Sequence, residues 1–233
     1  MKKLILFSFF FSFAIFSWAQ GIHWGLNIAP GISYRIGHDQ QMTDHARSIQ
    51  SGEKPMHVFD FGIDLRKNIT NRLSIGTGIF YSQKGFSNTH AAAVYNDPTL
   101  SRRYILDFVQ DYLEIPFFLT YNVYQNDQIQ LYPMLGVNNS LLLNEKNSVS
   151  YTGGEVSEET MEKLSTPYLS RSKLHNIGVM GGIGIMGAVD PKTAIGLEAV
   201  GKVMLTPLSD NFSNTDRYLY SFNLNFKFIR KIR

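Results

Sequence analysis

The sequence predicts a closed antiparallel up-and-down transmembrane β-barrel of about eight strands. Three observations lead to this fold class: an export signal at the amino terminus, bulky apolar residues that alternate with small polar ones, and connections that alternate between long and short. Charged residues make up only 18% of the 233 residues, against roughly 25% in an ordinary soluble protein. This deficit indicates a chain with little water-facing surface.

The first nineteen residues have the organisation of a secretory signal peptide. A positive start, Met1-Lys2-Lys3, precedes an apolar run over 4–16, and Ser17-Trp18-Ala19 supplies the small residues of a cleavage site. We expect cleavage before Gln20, so that residues 20–233 form one outer-membrane β-barrel domain. The alternative is a retained anchor, but the apolar run is short for a helix that needs about 20 residues. No later stretch has the length of a transmembrane helix, so a spanning chain must use strands.

Eight segments show the two-residue period that is typical of β-strands. In the first, Ile22 to Ile36, apolar residues and Pro30 fill the even positions, and small, polar or charged residues fill the odd ones. The other predicted strands cover 59–66, 73–82, 113–123, 129–137, 177–185, 195–205 and 218–228. Phe80 and Phe118 break the alternation, because both fall on the polar face.

The predicted connections follow the plan of an outer-membrane barrel, with short periplasmic turns and longer external loops. The short ones contain turn-forming Asn and Asp residues. They are 68–71, 125–127 and 190–192, and the long ones are about 37–55, 87–103, 144–172 and 206–216. An even number of strands places both ends of the chain on the periplasmic side.

The composition of the polar face indicates which side of the sheet meets lipid. A soluble lipocalin-like barrel also alternates, but its outward face should be rich in Lys and Glu. Here the polar face is rich in Gly, Ser and Asn, which suit a narrow interior, whereas the bulky row would overfill it. Trp24 and Tyr34 lie ten residues apart on the bulky row. On a tilted strand this spans about 25 Å, the height of the apolar band between two aromatic girdles.

Eight charged residues fall on the polar face and are therefore predicted to point into the lumen. Four are acidic and four are basic, so their charges can cancel. They are Asp60, Asp64, Glu114, Glu198, Arg35, Arg66, Lys202 and Lys227. We interpret them as a structural network that braces a filled barrel. An ion path is the alternative, but an eight-stranded barrel leaves little lumen for one.

Several other functions find no support in the sequence. The absence of cysteine excludes disulfides, thiolate metal sites and a cysteine nucleophile. Removal of the signal leaves 20 Lys and Arg against 19 Asp and Glu, which gives no argument for nucleic-acid binding. The segment His38–His45 carries zinc-ligand residue types, but its spacing matches no standard site, so we expect no metal and no cofactor.

We also expect the protein not to be an enzyme. No histidine has a recognisable nucleophile motif beside it, and Gly-x-Ser-x-Gly is absent. Two alternatives stay open: a lipid-modifying outer-membrane enzyme and a soluble periplasmic ligand-binding barrel.

Two segments resemble a known protein family. Residues 78–85 read Gly-Ile-Phe-Tyr-Ser-Gln-Lys-Gly, and residues 112–119 read Tyr-Leu-Glu-Ile-Pro-Phe-Phe-Leu. With the glycine-rich stretch 178–187, they are similar to the PorT-like outer-membrane β-barrel family of Bacteroidota. The resemblance implies an outer-membrane location, and the family's namesake takes part in protein secretion linked to gliding motility. We therefore expect a barrel whose external loops serve interaction or envelope structure. Its partners would be outer-membrane lipid and other envelope or secretion proteins.

Overall fold

A computed structural model of the chain describes residues 21–39, 53–91, 103–151, 173–207 and 215–232. These residues form eight long strands and two strands of two residues each, Glu53–Lys54 and Tyr124–Gln125. The long strands are β1 (Ile22–Asp39), β2 (Met56–Asn68), β3 (Leu73–Ala91), β4 (Arg103–Tyr121), β5 (Ile129–Tyr151), β6 (His175–Asp190), β7 (Thr193–Met204) and β8 (Thr215–Lys231). The predicted signal peptide lies outside the described residues.

Every long strand pairs antiparallel with the next in sequence, and β1 also pairs with β8. Trp24 on β1, for example, lies opposite Leu65 on β2 and opposite Arg230 on β8. The sheet therefore closes on itself, which confirms the predicted up-and-down barrel. Among the described residues, no helix is long and apolar enough to cross a membrane.

The short connections lie together at one end of the barrel. In each turn one side-chain oxygen accepts hydrogen bonds from two backbone N–H groups. Asp190 Oδ1, for example, accepts from the backbone nitrogens of Lys192 at 2.7 Å and Thr193 at 2.8 Å. Thr70 and Asn126 close the other two turns in the same way. Short turns mark the periplasmic end of an outer-membrane barrel.

Three neighbouring strands are the longest at the opposite, outer end, and their first residues there still line the lumen. The predicted loop boundaries at 87–103 and 144–172 are wrong, because β3 runs to Ala91, β4 begins at Arg103 and β5 runs to Tyr151. We call residues 83–91, 103–111 and 143–151 the outer extension. The sequence pattern changes there because inward residues such as Phe86 and Phe108 are apolar, whereas Asp107 lies on the outward face.

The outer surface of the barrel wall is apolar, as the alternation predicts. Phe117 is 53% exposed, Ile183 68% and Leu135 70%, although all three are large and hydrophobic. Aromatic pairs lie at both ends of this surface. Trp24 meets Phe228 edge to face with ring centroids 6.0 Å apart, and Tyr34 stacks on Tyr220 at 5.3 Å. The surface therefore has the apolar band and two aromatic girdles of a transmembrane barrel.

Candidate functional site: the ion-paired lumen

Four charged side chains meet in the half of the lumen nearer the periplasmic turns. We call Asp64, Arg66, Glu198 and Lys227 the periplasmic quartet. Arg66 binds Asp64 at 3.0 Å and Glu198 at 2.6 Å, and Lys227 binds the same two carboxylates at 2.7 and 2.9 Å. The hydroxyl of Tyr132 also donates to Glu198 Oε1 at 2.7 Å. Each acid thus contacts both bases.

A glycine on the intervening strand makes part of this contact possible. Asp64 on β2 and Lys227 on β8 flank β1, so their side chains must meet over the inner face of β1. Gly25 lies opposite Asp64, and a Cβ at this position would come within 2.1 Å of the Asp64 carboxylate. Any larger residue at position 25 would displace that carboxylate.

A second group of four charged side chains lies inside the lumen, one layer nearer the outer end of the barrel. We call Asp60, Lys84, Glu114 and Lys202 the outer quartet. Lys202 on β7 reaches across the lumen to Asp60 Oδ2 and Glu114 Oε2, both at 2.7 Å, and Lys84 forms an ion pair with Glu114. The hydroxyl of Ser82 donates to Asp60 Oδ1 at 2.8 Å. Lys202 therefore ties β7 to β2 and β4 on the opposite wall.

Each quartet carries two positive and two negative charges in a nearly dry environment. Their side chains are at most 10% exposed. Taking ions out of water costs several kcal/mol each, and only close geometry with further hydrogen bonds offsets that cost. The quartets satisfy this condition because their charges balance and every charged group has at least one partner of opposite sign.

Aromatic rings fill the space around these ions. The Phe118 ring lies 5.1 Å from the Arg66 guanidinium carbon and 5.8 Å from Lys227 Nζ, within cation–π range. A Cβ on Gly76 would come within 2.4 Å of the same ring. Phe118 thus breaks the alternation because it fills the lumen opposite a glycine. Phe80 lies close to Gly62 and Gly78 in the same way.

An apolar plug closes the lumen on the outer side of the outer quartet. Its side chains are at most 6% exposed, and they are Phe86, Phe108, Tyr112, Met204 and Leu219. The rings of Phe86 and Phe108 stack with centroids 5.1 Å apart.

Arg35 lies beside this plug, opposite Leu219 and apart from both quartets. Its guanidinium carbon is 3.8 Å from the centroid of the Phe86 ring, and its side chain forms an ion pair with Glu53. The structure therefore brings seven of the eight predicted lumen charges into the quartets and places Arg35 in a separate pair.

Sequence reasoning missed Lys84, which completes the outer quartet. The predicted third strand ended at Ser82, two residues short of it. The sequence does contain the information needed to identify Lys84 as a lumen residue. Lys84 shares the even parity of Ser82 and lies within the segment 78–85 that carries the family resemblance. The two resembling segments meet in the structure through the Lys84–Glu114 ion pair.

Little open space remains inside the barrel. A cavity of about 20 Å³ lies between the quartets, enough for about one water molecule. A larger cavity of about 180 Å³ opens at the periplasmic mouth, where His23, Thr120, Gln130 and Lys231 contribute to its lining. The lumen is thus filled at its centre and open to water at its periplasmic end.

The described residues contain no group of three His, Asp or Glu side chains close enough to hold a metal ion. Most of the predicted ligand-type segment, residues 40–45, lies outside the described residues, and the expectation of no metal stays a prediction.

A closed barrel with an apolar outer face, two aromatic girdles and an ion-paired interior defines a small outer-membrane barrel. The chain belongs to the family described as outer membrane protein beta-barrel domain, whose model matches residues 18–213. This confirms the predicted outer-membrane location. No curated protein sequence matches the chain.

Three solved structures of bacterial proteins are similar to this chain. Neisserial surface protein A has 16% sequence identity and a TM-score of 0.47, with 91% of this chain and 100% of that chain covered. Ail, the attachment invasion locus protein of Yersinia pestis, has 11% identity and a TM-score of 0.34, with 87% and 97% covered. The outer membrane protease OmpT of Escherichia coli has 8% identity and a TM-score of 0.46, with 92% and 97% covered.

Proposed function

We propose that the protein is a sealed, non-enzymatic outer-membrane scaffold that presents its outer extension to other components of the envelope. The observation that carries this proposal is a filled barrel in which three neighbouring strands run on past the apolar plug. A filled barrel conducts nothing of porin size, so the parts available for function are its surfaces.

The outer extension has the properties of an interaction surface. Beyond the plug, residues 87–91 of β3 and 103–107 of β4, at about 3.3 Å per residue, reach roughly 15 Å along the strand direction. On β5, pairing with β6 stops at Leu141, so in the described part of the chain residues 143–151 pair with β4 alone. A strand edge of this kind can accept an extended segment of another protein. The exposed side chains of Lys146 and Ser148 keep the surface polar.

The lumen supports a structural role better than a catalytic one. Glu114, Glu198, Asp60 and Asp64 each contact at least one buried Lys or Arg, so these carboxylates are held in fixed ion pairs. Lipid A profiling of a deletion strain tests the alternative of a lipid-modifying enzyme. An unchanged lipid A profile supports the scaffold, and loss of one modification that the intact gene restores would contradict it.

Participation in protein secretion is a second candidate, supported by the resemblance to the PorT-like family. Lys84 and Glu114 belong to the two resembling segments and contact each other, so the resemblance includes a piece of the interior. Comparing secreted proteins of a deletion strain with those of its parent tests this candidate. A secretion defect that the wild-type gene corrects supports it, and an unchanged secretome contradicts it.

We also propose that residues 1–19 are removed on export, as their pattern predicts. N-terminal sequencing of protein recovered from outer membranes should read from Gln20. A sequence that begins at Met1 would contradict cleavage.

Site-specific photo-crosslinking in living cells tests the scaffold proposal. A photoreactive residue at Ser148, in the outer extension, should give discrete protein adducts. The same residue at Leu135, on the lipid face of β5, serves as the matched control and should give few protein adducts. Equal adduct patterns at both positions, or adducts at Leu135 alone, would contradict interaction through the outer extension.

A further inference from the structure

Two cations and an aromatic pair lie together on the outer surface at the periplasmic end of the barrel. Lys67 on β2 and Arg230 on β8 share the outward parity of Trp24 on β1. Trp24 lies directly opposite Arg230, and its ring packs against Phe228. Lys67 lies opposite Ile22, so Lys67 and Arg230 are two strands and two residues apart, or about 12 Å, which leaves room for a phosphate between them.

This cluster lies at the depth where phospholipid headgroups are found. Trp and Tyr mark the membrane–water interface, and Trp24 occupies the girdle at the end with the short turns. Lys192 in the adjoining turn is also exposed, but it lines the periplasmic mouth of the lumen. The same turn contains Asp190, whose Oδ1 accepts the two backbone hydrogen bonds that close it. Arg230 is within electrostatic range of Asp190, so near Trp24 two outward cations, Lys67 and Arg230, are set against this one described carboxylate.

An apolar groove runs along the membrane-facing wall next to this cluster. It has a volume of about 450 Å³ and crosses β5 to β8. Its lining includes Leu131, Pro133, Ile183, Leu197, Ala199 and Leu224. The groove continues past Ala199, where Gly181 and Gly201 lie opposite each other and have no side chains to fill it. A Cβ on Gly201 would meet nothing closer than 3.8 Å.

The groove and the cations have the spacing of a lipid headgroup and its acyl chain. Along the β7–β8 ladder, six residues separate Arg230 from Leu224, which pairs with Ala199 at the groove. Six residues span about 20 Å along a strand, or roughly 15 Å of depth at the usual tilt. This equals half of the roughly 30 Å hydrocarbon core, which is one leaflet.

We propose that this surface binds one anionic phospholipid of the periplasmic leaflet. Its phosphate lies between Lys67 and Arg230 beside Trp24, and one acyl chain occupies the groove over Ala199. Charge complementarity selects the headgroup, and the depth of the groove selects a full-length acyl chain. This site depends on the outer-membrane location and is independent of the scaffold role of the outer extension.

Native mass spectrometry of the purified full-length protein tests the headgroup contacts. The protein is supplied with equal amounts of phosphatidylglycerol and phosphatidylcholine that carry identical acyl chains. The parent should retain phosphatidylglycerol preferentially. Because each Lys or Arg near an anionic lipid surface contributes about fivefold, Arg230→Gln should reduce the preference about fivefold, and Lys67→Gln with Arg230→Gln should reduce it further. Lys146→Gln, on the outer extension, should retain the parental preference.

A second pair of variants tests the groove. Ala199→Phe fills it and should reduce the retained amount of both lipids. Ile79→Phe adds the same kind of bulk to β3, far from the groove, and serves as the control that retains the parental amount. Circular dichroism of each variant checks that the barrel is folded. Equal retention of the two lipids by the parent, an unchanged preference in the double variant, or equal retention by Ala199→Phe and Ile79→Phe would overturn the proposal.

Discussion

The outer and periplasmic halves of the lumen are lined by the same eight described strands but filled in different ways. The outer half holds the apolar plug, in which Phe86, Phe108 and Leu219 pack together and Arg35 stacks on Phe86. The periplasmic half holds the two quartets, in which charged groups from opposite walls bind each other. Both arrangements leave little open space at the centre of the lumen, but each depends on a different property of its side chains.

This difference shows two ways to fill a narrow barrel. The plug depends on volume, because apolar side chains contribute through the space they occupy. The quartets depend on pairing, because a buried ion that loses its partner retains the full cost of leaving water. The plug should therefore respond to changes in size, whereas the quartets should respond to the removal of one charge and recover when its partner is also removed.

The largest loss of stability is expected from Glu114→Ala. This change leaves Lys84 buried without its carboxylate and removes one partner of Lys202. We expect the free energy of unfolding to fall by about 3–5 kcal/mol, measured by urea denaturation in lipid vesicles. Adding Lys84→Met should recover part of the loss, because it removes the stranded charge. A double variant no more stable than Glu114→Ala would show that the two side chains are not energetically coupled.

A charge on the lipid face should cost somewhat less. Phe117 is 53% exposed on the outer face of β4, near the middle of the membrane. Phe117→Arg should lower the free energy of unfolding by about 2–4 kcal/mol, because the guanidinium would enter hydrocarbon. Phe117→Leu is the control and should change little. Equal folding yields in lipid for Phe117→Arg and the parent would mean that the two faces are inverted.

A smaller loss is expected when a cavity is made in the plug. Leu219→Ala removes apolar volume from a side chain that is 1% exposed. We expect a loss of about 2–3 kcal/mol, near the lower end of the range for such changes, because the flexible side chain of Met204 can move into the space. This prediction differs most clearly from that for the quartets, because adding Lys84→Met to Leu219→Ala should recover none of the lost stability. Rescue by that change would place the plug and the outer quartet in one energetic unit.

Changes on the outer extension should have the smallest effect on stability. Lys146→Gln alters an exposed side chain outside the lumen and should change the free energy of unfolding by less than about 0.5 kcal/mol. The same urea titration measures it. A loss comparable to that of Glu114→Ala would show that the extension is part of the cooperative barrel.

The sequence predicts the barrel wall well because one physical rule governs it. Apolar side chains must face lipid along every spanning strand, and this requirement produces the alternation in the sequence. The alternation in turn predicts the number of strands, the closed sheet and which side chains face lipid. At the outer extension the rule reverses, because Phe86 and Phe108 point inward while the outward face meets water. The predicted strands are therefore too short at this end, and Lys84 lies just beyond one of them.

The pairing of the charges lies beyond what parity alone can predict. Parity places Asp64, Glu198 and Lys227 in the lumen, but the contacts among them depend on register and on the space that Gly25 leaves. Arg35 has the same parity and nevertheless pairs with Glu53, because its position on β1 is at the level of the plug, opposite Leu219.

Planar-bilayer recording of the purified full-length protein tests the sealed lumen most directly. With two quartets and a plug along its axis, the barrel should give no stable stepwise conductance at either polarity. Large, stable, single-step conductance of the parent protein would contradict a filled lumen and the scaffold function proposed from it.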